Sequence, residues 1–358
     1  MISKPKLVID LRMISMSGIG TYLQNILPFI IDSQKFDITF LGYDNLNEFS
    51  YLNNGEIIPM VSPILGIKEQ IELSQLIPKC DIFWAPNWNA PLLKSRASRL
   101  VTTIHDINHI VNPNQFGWTK YFLAKKMVGA CIRKSNAIVT VSQFSKSEIV
   151  KFFPKAKDKV FAFPLSVSPD FNKFSPHDIS LSNYLLAVGN VKPHKNLKQA
   201  LEAFSQINLP ELKFVIVGKQ DGFKTGYGIE LNELIAKLGN RVFFTGEVNE
   251  NVLRNYYFNA RGFVFPSLYE GFGLPLLEAM KFNLPILASN RASIPEVVSP
   301  KAILFDPTVN GDIVEKMELL LANFPEGSRV DYSDHLSKFS WENTANKHIE
   351  LFSKIITS

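Results

Sequence analysis

The feature that most constrains this chain is an alternation, run through twice, of short apolar segments of strand length with longer amphipathic segments of helix length. That pattern predicts repeated βαβ units, whose parallel strands are buried on both faces and read as continuous apolar runs. The first series predicts strands from Lys6 to Asp10, Phe36 to Tyr43, Asp81 to Ala85, Leu100 to Ile104, Ala137 to Val141 and Val160 to Pro164, with helices such as Gly20 to Ile31 and Phe116 to Arg133 between them. Residues 166–182 are rich in chain breakers and lack periodicity, so they read as a linker. A second series predicts strands from Tyr184 to Val188, Lys213 to Val217, Val242 to Thr245, Gly262 to Pro266, Pro285 to Ala288 and Ala302 to Phe305. Its helices run from Leu197 to Ile207, Ile229 to Leu238, Val252 to Asn259 and Ile313 to Leu321. Ser340 is placed to cap a closing helix from Trp341 to Ile356. The expected class is α/β: a Rossmann-like domain over 1–166, a linker over 167–182, a second such domain over 183–340, and a final helix over 341–358 crossing back to the first domain. Doubly wound sheets bind ligands outside the carboxyl ends of their strands, and two of them imply an interdomain cleft.

Composition narrows the class further. With 46% hydrophobic and 20% charged residues in 358, the chain can bury two cores and is not disordered. Its two cysteines, Cys80 and Cys131, lie in apolar runs, which excludes a disulfide scaffold and suits a reducing compartment. The N-terminus lacks the pattern of a signal peptide, and no stretch reaches the roughly 18 apolar residues of a membrane span. A cytoplasmic protein is expected, at most peripheral at the inner face of the plasma membrane. The formal charge is +5, but from Lys94 to Lys159 thirteen Lys and Arg face only Asp106, Glu148 and Asp158. Such a field either attracts anionic lipid head groups or nucleic acid, or it is a set of solvated helix faces.

Four strand ends carry polar chemistry. After the strand ending at Pro266 come Glu270, Gly271, Phe272, Gly273 and Leu274, then Pro275 suited to a first helical turn and Glu278 expected in that turn. A turn of this kind aims free N–H groups and a positive helix end at one spot, a site for a diphosphate, while carboxylates accept hydrogen bonds from vicinal hydroxyls. Glu278 alone has a structural alternative as partner of the helix dipole. The run from Ala187 to Leu197 places Lys195 just before a helix, where an ammonium can neutralise a leaving diphosphate. The run from Leu100 to His109 delivers His105 and Asp106 to a strand end; a zinc site at His105 and His109 lacks a third ligand. The run from Val8 to Tyr22 holds Asp10, Arg12 and a Gly18-Ile19-Gly20 turn into a helix. Asp10 and Arg12 either line an acceptor site or form a strand-end ion pair. Trp88 and Asn89 offer a ring and an amide to a carbohydrate, with Trp84 expected in the core. The chain has no Asp-x-Asp pair, so no divalent metal is expected.

Glu270 and Glu278, within Glu-Gly-Phe-Gly-Leu-Pro-Leu-Leu-Glu, resemble the signature of the retaining GT-B glycosyltransferases of family 4. The likeness extends to the Gly18 to Gly20 segment, His105-Asp106, Val139 to Ser142, Pro164-Leu165 and Phe339-Ser340-Trp341. It implies that Glu270 contacts donor-sugar hydroxyls and Glu278 the ribose. Amides of Gly271, Phe272, Gly273 and Leu274 would hold sugar and phosphate oxygens, Lys195 the diphosphate, and amides of Gly18 and Gly20 would close over it. His105 would lie beside the reaction centre, with Arg12, Trp88, Asn89 and Asp106 toward the acceptor. Many members carry Arg directly after the loop glycine, where this chain has Asn190; Lys192 or His194 then remain as the second cation.

The implied activity is transfer of a mannose-like hexose from a nucleotide diphosphate sugar, GDP-mannose first, to a lipid-linked or free glycan in bacterial O-antigen or capsule assembly. No cofactor and no nucleic acid are implied, and the basic first domain would meet the anionic inner membrane. The competing readings are a same-fold nucleotide-sugar epimerase, a non-catalytic nucleotide-sugar-binding protein, an oxidoreductase, which would want a full Gly-x-Gly-x-x-Gly after the first strand, and a phosphorylase, which would want a cofactor lysine.

Overall fold

The computed structural model of the protein describes residues 3–43, 46, 48–52, 55–168, 171–176, 181–219 and 226–357. The chain divides into two compact units, the first of residues 1–165 and 340–358, the second of residues 166–339.

Unit 1 is a seven-stranded parallel sheet: β1 (Lys6–Asp10), β2 (Asp37–Gly42), β3 (Glu56–Pro59), β4 (Cys80–Ala85), β5 (Ala97–Thr103), β6 (Ala137–Thr140) and β7 (Val160–Ala162), in the order β3-β2-β1-β4-β5-β6-β7. Its crossovers hold α1 (Ser17–Asp32), α2 (Ile67–Leu76), α3 (Asn108–Val111), α4 (Pro113–Phe116), α5 (Trp118–Lys134) and α6 (Gln143–Phe152). Unit 2 is a six-stranded parallel sheet of β8 (Tyr184–Val188), β9 (Lys213–Val217), β10 (Val242–Gly246), β11 (Gly262–Phe265), β12 (Ile286–Ser289) and β13 (Ile303–Phe305), in the order β10-β9-β8-β11-β12-β13. Between its strands lie α7 (Leu197–Gln206), α8 (Gly226–Leu238), α9 (Glu250–Asn259), α10 (Leu274–Lys281), α11 (Ile294–Val297) and α12 (Asp312–Asn323), followed by α13 (Ser333–Leu336). The order reverses between β1 and β4 in one unit and between β8 and β11 in the other, and at such reversals the diverging crossovers leave a crevice outside the strand ends.

The chain returns to unit 1 as α14 (Trp341–Thr357), which packs on α1. Its buried stripe is pinned by a polar chain: His348 Nδ1 lies 2.7 Å from the Thr344 carbonyl and its Nε2 2.6 Å from the Tyr22 hydroxyl. A carbonyl only accepts, so Nδ1 carries the proton, Nε2 accepts from Tyr22, and burial holds the ring neutral with a pKa near 4. Of the stretch expected to link the domains, residues 169–170 and 177–180 lie outside the described residues. Phe171 of that stretch packs edge-on against Tyr257 and Phe282 of unit 2. Cys80 and Cys131 are buried and free. No described helix is long and apolar enough to cross a membrane.

Tyr22→Phe leaves the His348 acceptor buried without its donor. A loss of about 1–3 kcal/mol is expected, read as a lower midpoint in thermal or urea denaturation; an unchanged midpoint would show that this bond does not pin α14.

Candidate active site

In unit 2 the residues after β8 and β11, the two strands at the reversal, meet. Leu268 N–H donates to the His194 carbonyl at 2.7 Å and joins the two loops. Lys195 Nζ then lies 2.6 Å from Glu270 Oε1, with both side chains mostly buried, and 5.6 Å from the centre of the Phe265 ring. One ammonium N–H is engaged by Glu270; two remain, as does the second carboxylate oxygen. The loop after β9 also closes in, because Gly218 has no side chain: a Cβ there would sit 2.2 Å from the Gly189 carbonyl oxygen. Asn190 Oδ1 accepts from Lys219 N–H at 2.9 Å, so this residue braces the same pair of loops.

The turn from Glu270 to Gly273 is held from behind. Ser293 Oγ lies 3.0 Å from the Glu270 carbonyl and 2.8 Å from that of Phe272, drawing both oxygens toward α11. Gly273, with φ of 108°, turns the chain into α10, whose N-terminus has no side-chain cap and carries Pro275 in its first turn. This turn needs glycine, since a residue with a Cβ is strained at positive φ. Ser293 is a support that the sequence motifs did not mark; Ser before Ile-Pro-Glu reads only as a helix start.

Glu278 lies in the second turn of α10, not in the first as its spacing from Gly273 suggested, because the helix starts at Leu274. Tyr257 OH donates to its Oε2 at 2.7 Å from α9, and Tyr257 is itself fixed by stacking on Phe282 at 5.7 Å. Burial pushes the Glu278 carboxyl up to about 7, outweighing the bond from Tyr257.

In unit 1 the strand ends at the reversal, those of β1 and β4, carry a buried ion cluster. Arg12 donates to Asp10 through Nε at 2.8 Å and Nη2 at 2.5 Å, and through Nη1 to Glu69. Burial opposes the Arg12 charge, but hydrogen bonds and the charges of Asp10 and Glu69 outweigh it and raise its pKa. Asn89 Nδ2 also donates to Glu69, whose other oxygen accepts the Leu65 and Gly66 amides at the start of α2. Asp10 and Arg12 form a strand-end ion pair, enlarged by Glu69, which sequence spacing did not connect to it.

His105, at the end of β5, points Nε2 at the Pro86 carbonyl, 3.0 Å away. Nε2 therefore carries the proton and Nδ1 is the acceptor; burial lowers the pKa, so the ring is neutral. Asp106 caps the Asn108 amide at 2.9 Å. Trp88 lies against His109 with ring centres 5.5 Å apart, and Trp84 is core, donating to Thr103 at 3.0 Å. Gly20 is helical as expected, and Gly18, expected in the turn before the helix, joins it in the first turn of α1. The Gly20 amide donates to the Met16 carbonyl at 2.7 Å, and a Cβ there would meet the Ile14 carbonyl oxygen at 2.4 Å. That amide is engaged within the helix, while a Cβ at exposed Gly18 would meet nothing within 4 Å.

The family of glycosyl transferases group 1 matches residues 171–334, a span holding Lys195, Glu270 and Glu278. Unit 2 carries a glycosyltransferase group 1 domain. Beyond this domain, O-antigen chain mannosyltransferase B of Escherichia coli is 28% identical over 289 residues, covering 76% of this chain and 74% of that one. The serotype-specific mannosyltransferase WbdA of Escherichia coli is 28% identical over 284 residues, 73% of this chain but only 34% of the relative, so the chain spans about a third of that protein. The solved structure of Anabaena HepE in complex with UDP-glucose superposes with a TM-score of 0.78 at 18% identity, over 98% of this chain and 100% of that one. The two parallel-sheet units have the GT-B fold of such neighbours.

Glu278→Gln keeps an acceptor for Tyr257 but removes the proton. In the parent, the folded state holds a proton from about pH 4.5 to 7 that the unfolded chain has released, so stability falls as pH rises through that window. Stability of the variant, from urea melts at several pH values, should lack this slope, the difference reaching roughly 3 kcal/mol above pH 7; parallel curves for the two proteins would contradict the shifted carboxyl.

Proposed function

We propose that the protein is a retaining, metal-independent hexosyltransferase that moves a mannose-like sugar from a nucleotide diphosphate donor to a glycan acceptor in the assembly of a bacterial surface polysaccharide. The observation that carries the reading is the Lys195 to Glu270 pair beside the uncapped start of α10. The names of the O-antigen mannosyltransferases support the sugar and the pathway class, and the glycosyltransferase domain supports the reaction class.

Breaking the bond between the anomeric carbon and the phosphate oxygen leaves the electron pair on the diphosphate and positive charge on the sugar. The two free N–H bonds of Lys195 and the amides around Phe272 to Leu274 would take up the leaving charge without a metal. The free oxygen of Glu270 would accept from sugar hydroxyls, and Glu278, whose carboxyl burial pushes up to about 7, would share a hydrogen bond with the ribose. The acceptor hydroxyl would attack on the face the diphosphate leaves and pass its proton to the departing phosphate oxygen, giving retention.

Lys195→Ala and, separately, Glu270→Ala are expected to lower turnover at least about a hundredfold with melting temperatures close to the parent's. A release assay over GDP-, UDP- and dTDP-sugars should show GDP-mannose turned over fastest, and NMR of the product should show the donor's anomeric configuration. Near-normal turnover in folded variants, or an inverted product, would defeat the proposal.

A further inference from the structure

We propose that Tyr257 is a positioning residue for Glu278, the group that makes its carboxylate selective for a nucleotide carrying ribose over one carrying deoxyribose. This rests on the reading of Glu278 as the ribose partner and deepens it. Glu278 and Phe282 are four apart, one turn from each other on one side of α10 and its end. Tyr257, from α9, lies along that side: its ring stacks on Phe282 at an interplanar angle of 7°, and its hydroxyl donates to Glu278 Oε2 at 2.7 Å. Two further rings close the slot, Phe263 of β11 with its centre 5.6 Å away and Phe171, from the stretch before β8, edge-on at 6.1 Å.

A ring packed on three sides, with 0% exposure, is held in one rotamer. Its hydroxyl is a constant donor, because burial and the neighbouring carboxylate hold the phenol well above its ordinary pKa. Phenylalanine would fill the same slot and meet the same rings, so packing does not account for the tyrosine. Glu278 differs from it: part of its surface is exposed, and its Oε1 has no hydrogen-bond partner among the described residues.

The Tyr257 bond acts on Glu278 in two ways. It occupies Oε2, which fixes the direction in which Oε1 presents its lone pairs. It also favours the ionised form, against burial and against the charge of Glu250, which is itself paired with Arg254 at 2.6 Å. Tyr257 and Glu250, both on α9, are the groups whose charge or proton bears on this carboxyl. An ionised oxygen held in one direction accepts from a hydroxyl more strongly than a neutral or rotating one. A nucleotide lacking that hydroxyl leaves the oxygen unpaired, and the penalty is what selects for ribose.

The test is calorimetric binding of GDP and UDP to the full-length protein, each compared with the analogues lacking one or the other ribose hydroxyl, at pH values on both sides of the Glu278 value of about 7. The ratio of the two affinities cancels the ionisation of the diphosphate and of Lys195. The parent should prefer ribose at least about tenfold, the preference growing as pH rises through about 7. Tyr257→Phe, still folded, should lose most of that preference at neutral pH and regain part of it at higher pH. The midpoint of its profile should lie above the parent's, because the bond that lowered the Glu278 pKa is gone; a packing role leaves the midpoint where it is. Tyr257→Phe/Glu278→Leu removes both polar partners, leaves neither unpaired, and should show no preference at any pH. An unmoved midpoint in Tyr257→Phe, with the preference lost in the double variant, overturns the proposal and leaves the ribose reading standing. A preference kept by the double variant overturns both.

Discussion

The arrangement in unit 2 depends on one contact, the ion pair between Lys195 and Glu270, and that contact depends on sheet topology. The two residues are 75 positions apart, and they meet because β8 and β11 are neighbours at the point where the strand order reverses. A mostly buried pair of this kind is weak as a source of stability, since desolvation opposes the attraction. Its value lies in geometry. Each partner holds the other in one rotamer, and each keeps hydrogen-bonding capacity unused: two donors on the ammonium, an oxygen on the carboxylate. The backbone supports, Leu268 to His194 and Ser293 to the Glu270 and Phe272 carbonyls, are neutral and add no competing charge.

The ion cluster in unit 1 has the same ingredients and a different outcome. Arg12 uses Nε, Nη1 and Nη2 on Asp10 and Glu69, and Glu69 answers Arg12, Asn89 and two amides. Buried and shared between two carboxylates, the Arg12 guanidinium braces the start of α2 against the end of β1. Exposure separates the two, at 1% for the Arg12 side chain against 18% for that of Lys195, and identity of residue type does not.

Much of the architecture is legible in the sequence because strands buried on both faces read as unbroken apolar runs, as Tyr184–Val188 and Lys213–Val217 do. β3 escapes notice because at the sheet edge it offers two isoleucines between Glu56 and Pro59. α2 escapes for a physical reason tied to its surface: Ile67 and Ile71 face outward, so the apolar positions do not form a single buried stripe. Glycine misleads at α1. Gly18 reads as lying ahead of a helix that starts at Gly20, yet the helix starts at Ser17, and at Gly20 only a residue without a side chain lets that first turn pass the Ile14 carbonyl. The motif residues of the candidate site are legible one by one, but their pairing is not. Glu69 and Arg12 are 57 positions apart, and periodicity carries no information about which strand ends become neighbours.

Protonation completes the division of labour among the candidate groups. The Pro86 carbonyl can only accept, so it fixes the His105 tautomer, and burial keeps the ring uncharged. A neutral imidazole with Nδ1 open accepts a hydroxyl proton well and attracts a diphosphate poorly. Lys195 has the opposite character, since an ammonium cannot accept and its charge is the stronger partner for phosphate. Glu278 stands between them: with its pKa near 7 it can accept from a hydroxyl or donate to one without a large electrostatic cost in either state. These assignments follow from what lies against each group, the acceptor-only carbonyl at His105, the single carboxylate at Lys195 and the Tyr257 hydroxyl in a buried wall at Glu278. Under the proposed reaction, leaving charge is met by a cation and an uncapped helix, and sugar hydroxyls are met by groups that remain neutral or share their proton.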